Sequence, residues 1–186
     1  MNFEFKALDL SGAALEKCEA MVLLFGSNFK PGKHAASALL SVALKAGDID
    51  AKAGKALLAY RPAGVLATRL VLAGVGEGSA REVRQALSAA IGQLKGAKLK
   101  KIDICFATTP QPAALRAAVT AVAEATYVYT STKSKPEGRT VQRVVIGVPA
   151  VAGLQAVFQR ATATVSGVEL AKEWANRPAN HATPTM

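Results

Sequence analysis

The stretch RLVLAGVGEGSAREVRQALSAAIGQLKG, Arg69 to Gly96, changes its period once, and that change decides how the chain is read. It opens on an unbroken apolar run, Leu70 to Ala73, closed by Gly74, Gly76 and Gly78. A run without polar alternation suits a strand covered on both faces. Ser79 and Glu82 then form a capping-box pattern, and Val83, Leu87, Ala90, Ile91 and Leu94 make one stripe that Gly96 ends. Buried strand, glycine turn and amphipathic helix together form one β–α unit.

The same alternation extends both ways. NFEFKAL puts Phe3, Phe5 and Ala7 on one face of an opening strand, and AMVLLFG reads as a central strand ended by Gly26. The pattern turns helical from Lys33 to Ala46, with Gly47 at the left-handed exit. KALLAY, TRLVLAG, KIDICFA and RVVIGV are the remaining strands. Thr109 and Pro110 signal the start of a helix carrying Leu115, Val119, Val122, Thr126 and Tyr129. A last helix is expected from about Gly153 to Ala175, with Leu154, Val157, Phe158, Ala161, Val165 and Val168 inward. Strands alternating with helices of this length imply an α/β fold, a largely parallel or mixed sheet with helices on both faces.

At 186 residues the chain is long enough to bury about 70% of its unfolded surface, a core that needs neither metal nor disulfide. No apolar run reaches the ~20 residues of a membrane span, and MNFEFKALDL lacks the pattern of a secretory signal. Cys18 and Cys105 offer no disulfide framework, which suits a reducing cytoplasm. The formal charge of +10 is unusual, and part of it lies in Lys95–Lys101 and in Lys133–Arg143. Such a surface attracts nucleic acid, although no aromatic residues interleave with these lysines as stacking platforms.

Candidate chemistry is sparse. Gly74, Gly76, Gly78 and Ser79 stand where a strand-to-helix turn can cradle an anion, yet Ser79 occupies the last glycine position of the dinucleotide fingerprint. The acidic residue expected about 20 positions on is missing too, so a tight turn is the favoured reading. His34 and His181 are the only histidines and have no ligand spacing. Asp48 and Asp50 share a turn, and Ser27 fails the nucleophile-elbow pattern. Asp103 is either a buried functional acid or a solvated acid at a strand's entry. These residues assemble no catalytic or metal site.

The end of the chain carries the most specific signal. AKEWANRPANHATP places Asn176, Pro178, Asn180 and Pro184 on an N-x-P-x-N-x-x-x-P spacing. It resembles the junction of the leucyl aminopeptidase (cytosol aminopeptidase) family, where the chain passes into the catalytic domain. Lys172 and Glu173 stand where that family usually has an Arg-Asp pair, and Trp174 replaces a smaller aliphatic. Upstream, Tyr127, Tyr129, Lys133 and Ser134 in YVYTSTKS are similar to the family's aromatic-x-aromatic stretch ending in Lys-Ser, though Thr132 departs from it.

The resemblance implies a macro-domain-like α/β/α sandwich over residues 1–175, with 176–186 beginning the linker to an absent carboxy-terminal domain. In the family that domain holds two divalent metals (zinc, manganese or magnesium), whose bound water releases amino-terminal residues, preferentially leucine; the full-length enzyme is a hexamer. The family's catalytic signature is not among these residues, so no catalytic or metal residue carries over and this chain alone is expected to be inactive. Its implied role is assembly, active-site shielding or regulation. Two alternatives stand beside it: a macro-like binder of a nucleotide or ADP-ribose at the Gly74 turn, and a basic nucleic-acid-binding module.

Overall fold

The computed structural model describes residues 1–178 and His181. Six strands, β1 (Asn2–Ala7), β2 (Ala20–Phe25), β3 (Ala56–Tyr60), β4 (Arg69–Gly74), β5 (Lys101–Phe106) and β6 (Arg143–Val148), form one sheet in the order β1-β6-β5-β2-β4-β3. All pairings are parallel except β3 with β4. Those two strands are joined by residues 61–68 alone, and so short a connection suits an antiparallel pair. β2 is buried throughout, as are β4, β5 and β6 beyond their first residues. Their unbroken apolar runs follow from helices lying on both faces.

Five helices cover the sheet: α1 (Leu10–Leu15), α2 (Ala35–Ala46), α3 (Ala80–Gln93), α4 (Pro112–Thr126) and α5 (Gln155–Ala175). On one face α3, α4 and α5 pack side by side over Val22, Leu24, Val71, Ile102, Ile104, Val144 and Ile146. Phe158 of α5 also stacks on Phe5 of β1, with ring centroids 4.8 Å apart. On the other face α1 and α2 cover Met21, Leu23, Phe25, Leu70, Leu72 and Cys105. Each large apolar side chain removed from water in these cores contributes roughly 1.5–3 kcal/mol.

The local readings held where the signal was local. Ser79 caps α3 in a full capping box with Glu82, and Gly47 closes α2 at φ 79°. Others shift. The N-cap of α4 is Gln111, followed by Pro112, rather than the expected start at Thr109 and Pro110. The helix ends at Thr126, so Tyr129 lies beyond it. α3 itself ends at Gln93, and Gly96, at φ 84°, closes the turn that follows. Val168 is 41% exposed rather than inward, lining a shallow groove between α4 and α5 with Thr120 and Glu124. The short α1 has no counterpart in the sequence reading. Its N-terminus is built by Asp9, whose side chain accepts the Gly12 amide at 2.8 Å.

Candidate functional site

The glycine turn after β4 is closed around itself. Gly74 lies against the Asp50–Ala51 backbone, where an added Cβ would come within 2.6 Å of three main-chain atoms. Gly76 and Gly78 have φ of 56° and 81°, the left-handed region that favours glycine. The turn's amides already have protein acceptors. Gly76 N donates to Ala51 O at 2.6 Å, and Gly78 N donates to Val75 O at 2.7 Å. The Glu82 carboxylate accepts from Ser79 N at 2.9 Å, Ser79 Oγ at 2.6 Å and Glu77 N at 3.3 Å. Those bonds, that from Ser79 Oγ foremost, hold its pKa below the usual carboxylate range. The negative group at this helix N-terminus is therefore the protein's own.

Asp103 is fully buried on the α1 side of the sheet, rather than solvated at the strand entry. Lys101 Nζ lies 3.0 Å from its Oδ2, but no well-aligned hydrogen bond reaches either oxygen among the described residues. Burial raises its pKa, against the pull of Lys101. The cover is the strap that follows α1. Glu16 pairs with Lys6 at 3.4 Å and Lys101 at 3.8 Å, while Glu19 accepts the amides of Lys100 and Lys101. The neighbouring Cys18 thiol is pushed up to about 12 by burial, and Cys105 is raised by burial as well. Both are protonated thiols at neutral pH, poor as nucleophiles and as ligands.

At the far end of the sheet, two segments distant in sequence meet. Tyr127 lies beneath Lys172 and Arg139, whose charges are 5.2 Å and 5.9 Å from its ring centroid. Arg139 donates to the carbonyls of Thr126 at 2.9 Å and Ala123 at 3.2 Å, and pairs with Glu169. Ser131 Oγ hydrogen-bonds the Glu173 carboxylate, and Arg177 stacks over Trp174 at 4.2 Å. YVYTSTKS and AKEWANRP are thus parts of one surface, with Arg139 and Glu169 its unforeseen supports. The spacing of Arg139 and Glu169 along the chain gives no hint of their pairing. Asn176 caps α5, its side chain donating to Lys172 O at 2.7 Å, and Pro178 O accepts from the His181 amide at 2.8 Å. Asn180 and Pro184 lie outside the described residues.

An open cleft of about 810 Å³ runs between the segment after α3 and the one after α4, lined by Lys95, Lys98, Lys133, Glu137 and Arg139 over an apolar floor. Among the described residues no group of three or more His, Cys, Asp or Glu side chains could hold a metal ion. His34 is the N-cap residue of α2 and makes no side-chain capping bond. Asp50 accepts from Lys55 Nζ at 2.8 Å and from Lys52 N at 3.0 Å, closing its own turn. Ser27 Oγ donates to Gly76 O at 3.2 Å.

The family model described as "Cytosol aminopeptidase family, N-terminal domain" matches residues 26–136. A probable cytosol aminopeptidase of Albidiferax ferrireducens is 59% identical over 186 residues, which are all of this chain and 39% of that protein. One from Verminephrobacter eiseniae is 50% identical, again over the whole chain and 36% of the relative. The chain therefore spans less than two-fifths of the length of these relatives. Among solved structures, a tomato leucine aminopeptidase mutant superposes with a TM-score of 0.73 at 18% identity, over 100% of this chain and 40% of that one. The bottromycin maturation enzyme BotP gives 0.64 at 15% identity, over 90% of this chain and 34% of its own. At such identities the likeness is one of fold.

Proposed function

The chain belongs to the cytosol aminopeptidase family, in its amino-terminal domain, and from that premise we propose that it is the non-catalytic domain of a two-metal leucyl aminopeptidase of the cytoplasm. In this reading residues 1–175 form the domain and residues from Asn176 onward begin the passage to the catalytic part. The observation that carries it is the employment of the acids. Glu4 pairs with Arg143, Glu16 with Lys6 and Lys101, Glu124 with Arg84 and Glu169 with Arg139. Asp9 and Glu82 cap helices, Asp50 closes a turn, and Glu19 ties the start of β5. Carboxylates spent on caps and ion pairs are not free to converge on two metals about 4 Å apart. The two-metal centre therefore does not fit the described residues, and no step of hydrolysis is assigned to them. The self-contained Gly74–Ser79 turn supports an architectural role for that segment instead of a nucleotide cradle.

The test is leucine p-nitroanilide hydrolysis with added manganese. The 186-residue chain should be silent, and the same chain joined in frame to the carboxy-terminal part of the Albidiferax relative should turn over. A silent fusion that is folded would overturn the reading.

A second reading has one observation in its favour: Lys95, Lys98 and Lys133 line one open cleft in a chain of charge +10. If that cleft takes nucleic-acid phosphates, log affinity falls linearly with log salt, with little sequence preference. Absence of duplex DNA binding at low salt removes this reading.

A further inference from the structure

The outer side of α5 carries no charged residue of its own over its last four turns, although Arg177, just past its end, stacks over Trp174 at 4.2 Å. From Ala163 to Ala175 the exposed residues are Ala163, Thr164, Ser166, Gly167, Val168, Leu170, Ala171, Trp174 and Ala175. The charged residues of that stretch, Glu169, Lys172 and Glu173, are half-buried against the segment after α4. Leu170 is 60% exposed and Trp174 44%. A helix on the surface of a basic protein ordinarily turns charged residues to water. Gly167 sharpens the point. A glycine inside a helix costs about 1 kcal/mol relative to alanine, and among the described residues nothing beyond its chain neighbours and the helix's own backbone lies within 4 Å of where its Cβ would be. Packing among the described residues gives no reason for it.

We infer that this face of α5 is a docking surface, and that its occupant is the carboxy-terminal domain that the relatives carry beyond the matched region. The inference rests on the proposed function. Two observations select that occupant. The relatives match along the whole of this chain, yet it makes up only 39% and 36% of their lengths. The apolar face also ends at Trp174, four residues before Pro178, so a domain entered through Asn176–Pro178 starts beside it. Contiguous apolar surface of this kind marks an interaction site, and Trp174 is of the residue type most enriched among the anchors of interfaces.

The test follows thiol reactivity in the 186-residue chain and in its active fusion to the Albidiferax carboxy-terminal part. Cys18 and Cys105 are buried and stay silent, so Ala171→Cys reports the face, and Ser88→Cys, exposed on α3 two helices away, is the control. The Ala171→Cys thiol should react freely in the chain alone. In the fusion it should slow by about tenfold or more, because a residue at an interface core is reached only when the interface opens. The control should react equally in both. Leu170→Asp should leave the melting of the chain alone unchanged and lower that of the fusion. Equal labelling in both proteins would overturn the inference while leaving the aminopeptidase reading intact. Slow labelling already in the chain alone, with a dimer in sedimentation, would overturn it by making the occupant a second copy. A folded but inactive fusion instead strikes the functional reading, whatever the labelling.

Discussion

Two residues set the terms at the smallest scale. Asp103 is a buried carboxyl whose pKa burial raises above 3.8, its ordinary value. The native state therefore holds the proton more tightly than the unfolded chain. This group's contribution to stability is largest at low pH and is lost as pH rises from about 3.8 through the folded pKa. Glu4, Asp9, Asp50 and Glu82 are lowered, so their contributions run the opposite way. The difference between wild type and Asp103→Asn isolates the one group. Melting curves across the acid range should show the variant gaining relative to wild type as pH rises, and a pH-independent difference would refute the assignment. Gly74 is the second. Gly74→Ala meets backbone that cannot swing away and should cost about 1–3 kcal/mol or more. Gly78→Ala has open space around its Cβ and pays only for the left-handed φ, about 1–2 kcal/mol. Urea denaturation should rank the two in that order.

Single elements show which contacts are internal to one helix and which are borrowed. α3 carries its own start: Ser79 Oγ accepts the Glu82 amide, and the Glu82 carboxylate accepts the Ser79 amide. Ser79→Ala should cost about 1 kcal/mol, seen as a lower urea midpoint at unchanged slope. α5 differs along its length. Val165 is buried under it and Val168 is exposed beside α4. Val165→Ala should therefore cost about 1–2 kcal/mol, in line with the apolar groups removed from the core, and Val168→Ala should register within about 0.5 kcal/mol of zero. Equal losses at both positions would mean that α5 is rotated from the orientation described.

For the whole molecule, the sheet has helices on both faces, and its two cores are assembled from side chains of this chain. Folding that rests on apolar burial has no reason to respond to chelation. EDTA should leave the midpoint and the cooperativity of thermal unfolding unchanged, and a drop of several degrees would require a structural metal site. Among the described residues no helix is long and apolar enough to cross a membrane.

The sequence alone determined what depends on neighbours a few positions apart. The capping box of α3, the exit of α2 at Gly47, the unbroken apolar runs of the central strands and the α/β alternation all rest on contacts within one turn or one strand. The family reading belongs with them, since the family that the sequence resembles is the one whose model matches residues 26–136. Tertiary structure decided what depends on segments far apart. Asp103 is buried because the strap carrying Glu16 and Glu19 closes over it, with Glu19 reaching an amide 81 positions away. YVYTSTKS and AKEWANRP share one surface because α4 and α5 pack side by side, with Arg139 and Glu169 locking the seam. The strand order β1-β6-β5-β2-β4-β3 has the same origin. A buried parallel strand presents apolar side chains to both faces whatever its neighbours, so its pattern states that it is central but not beside whom. The crossovers choose the partners, and they do so by packing their helices as a layer.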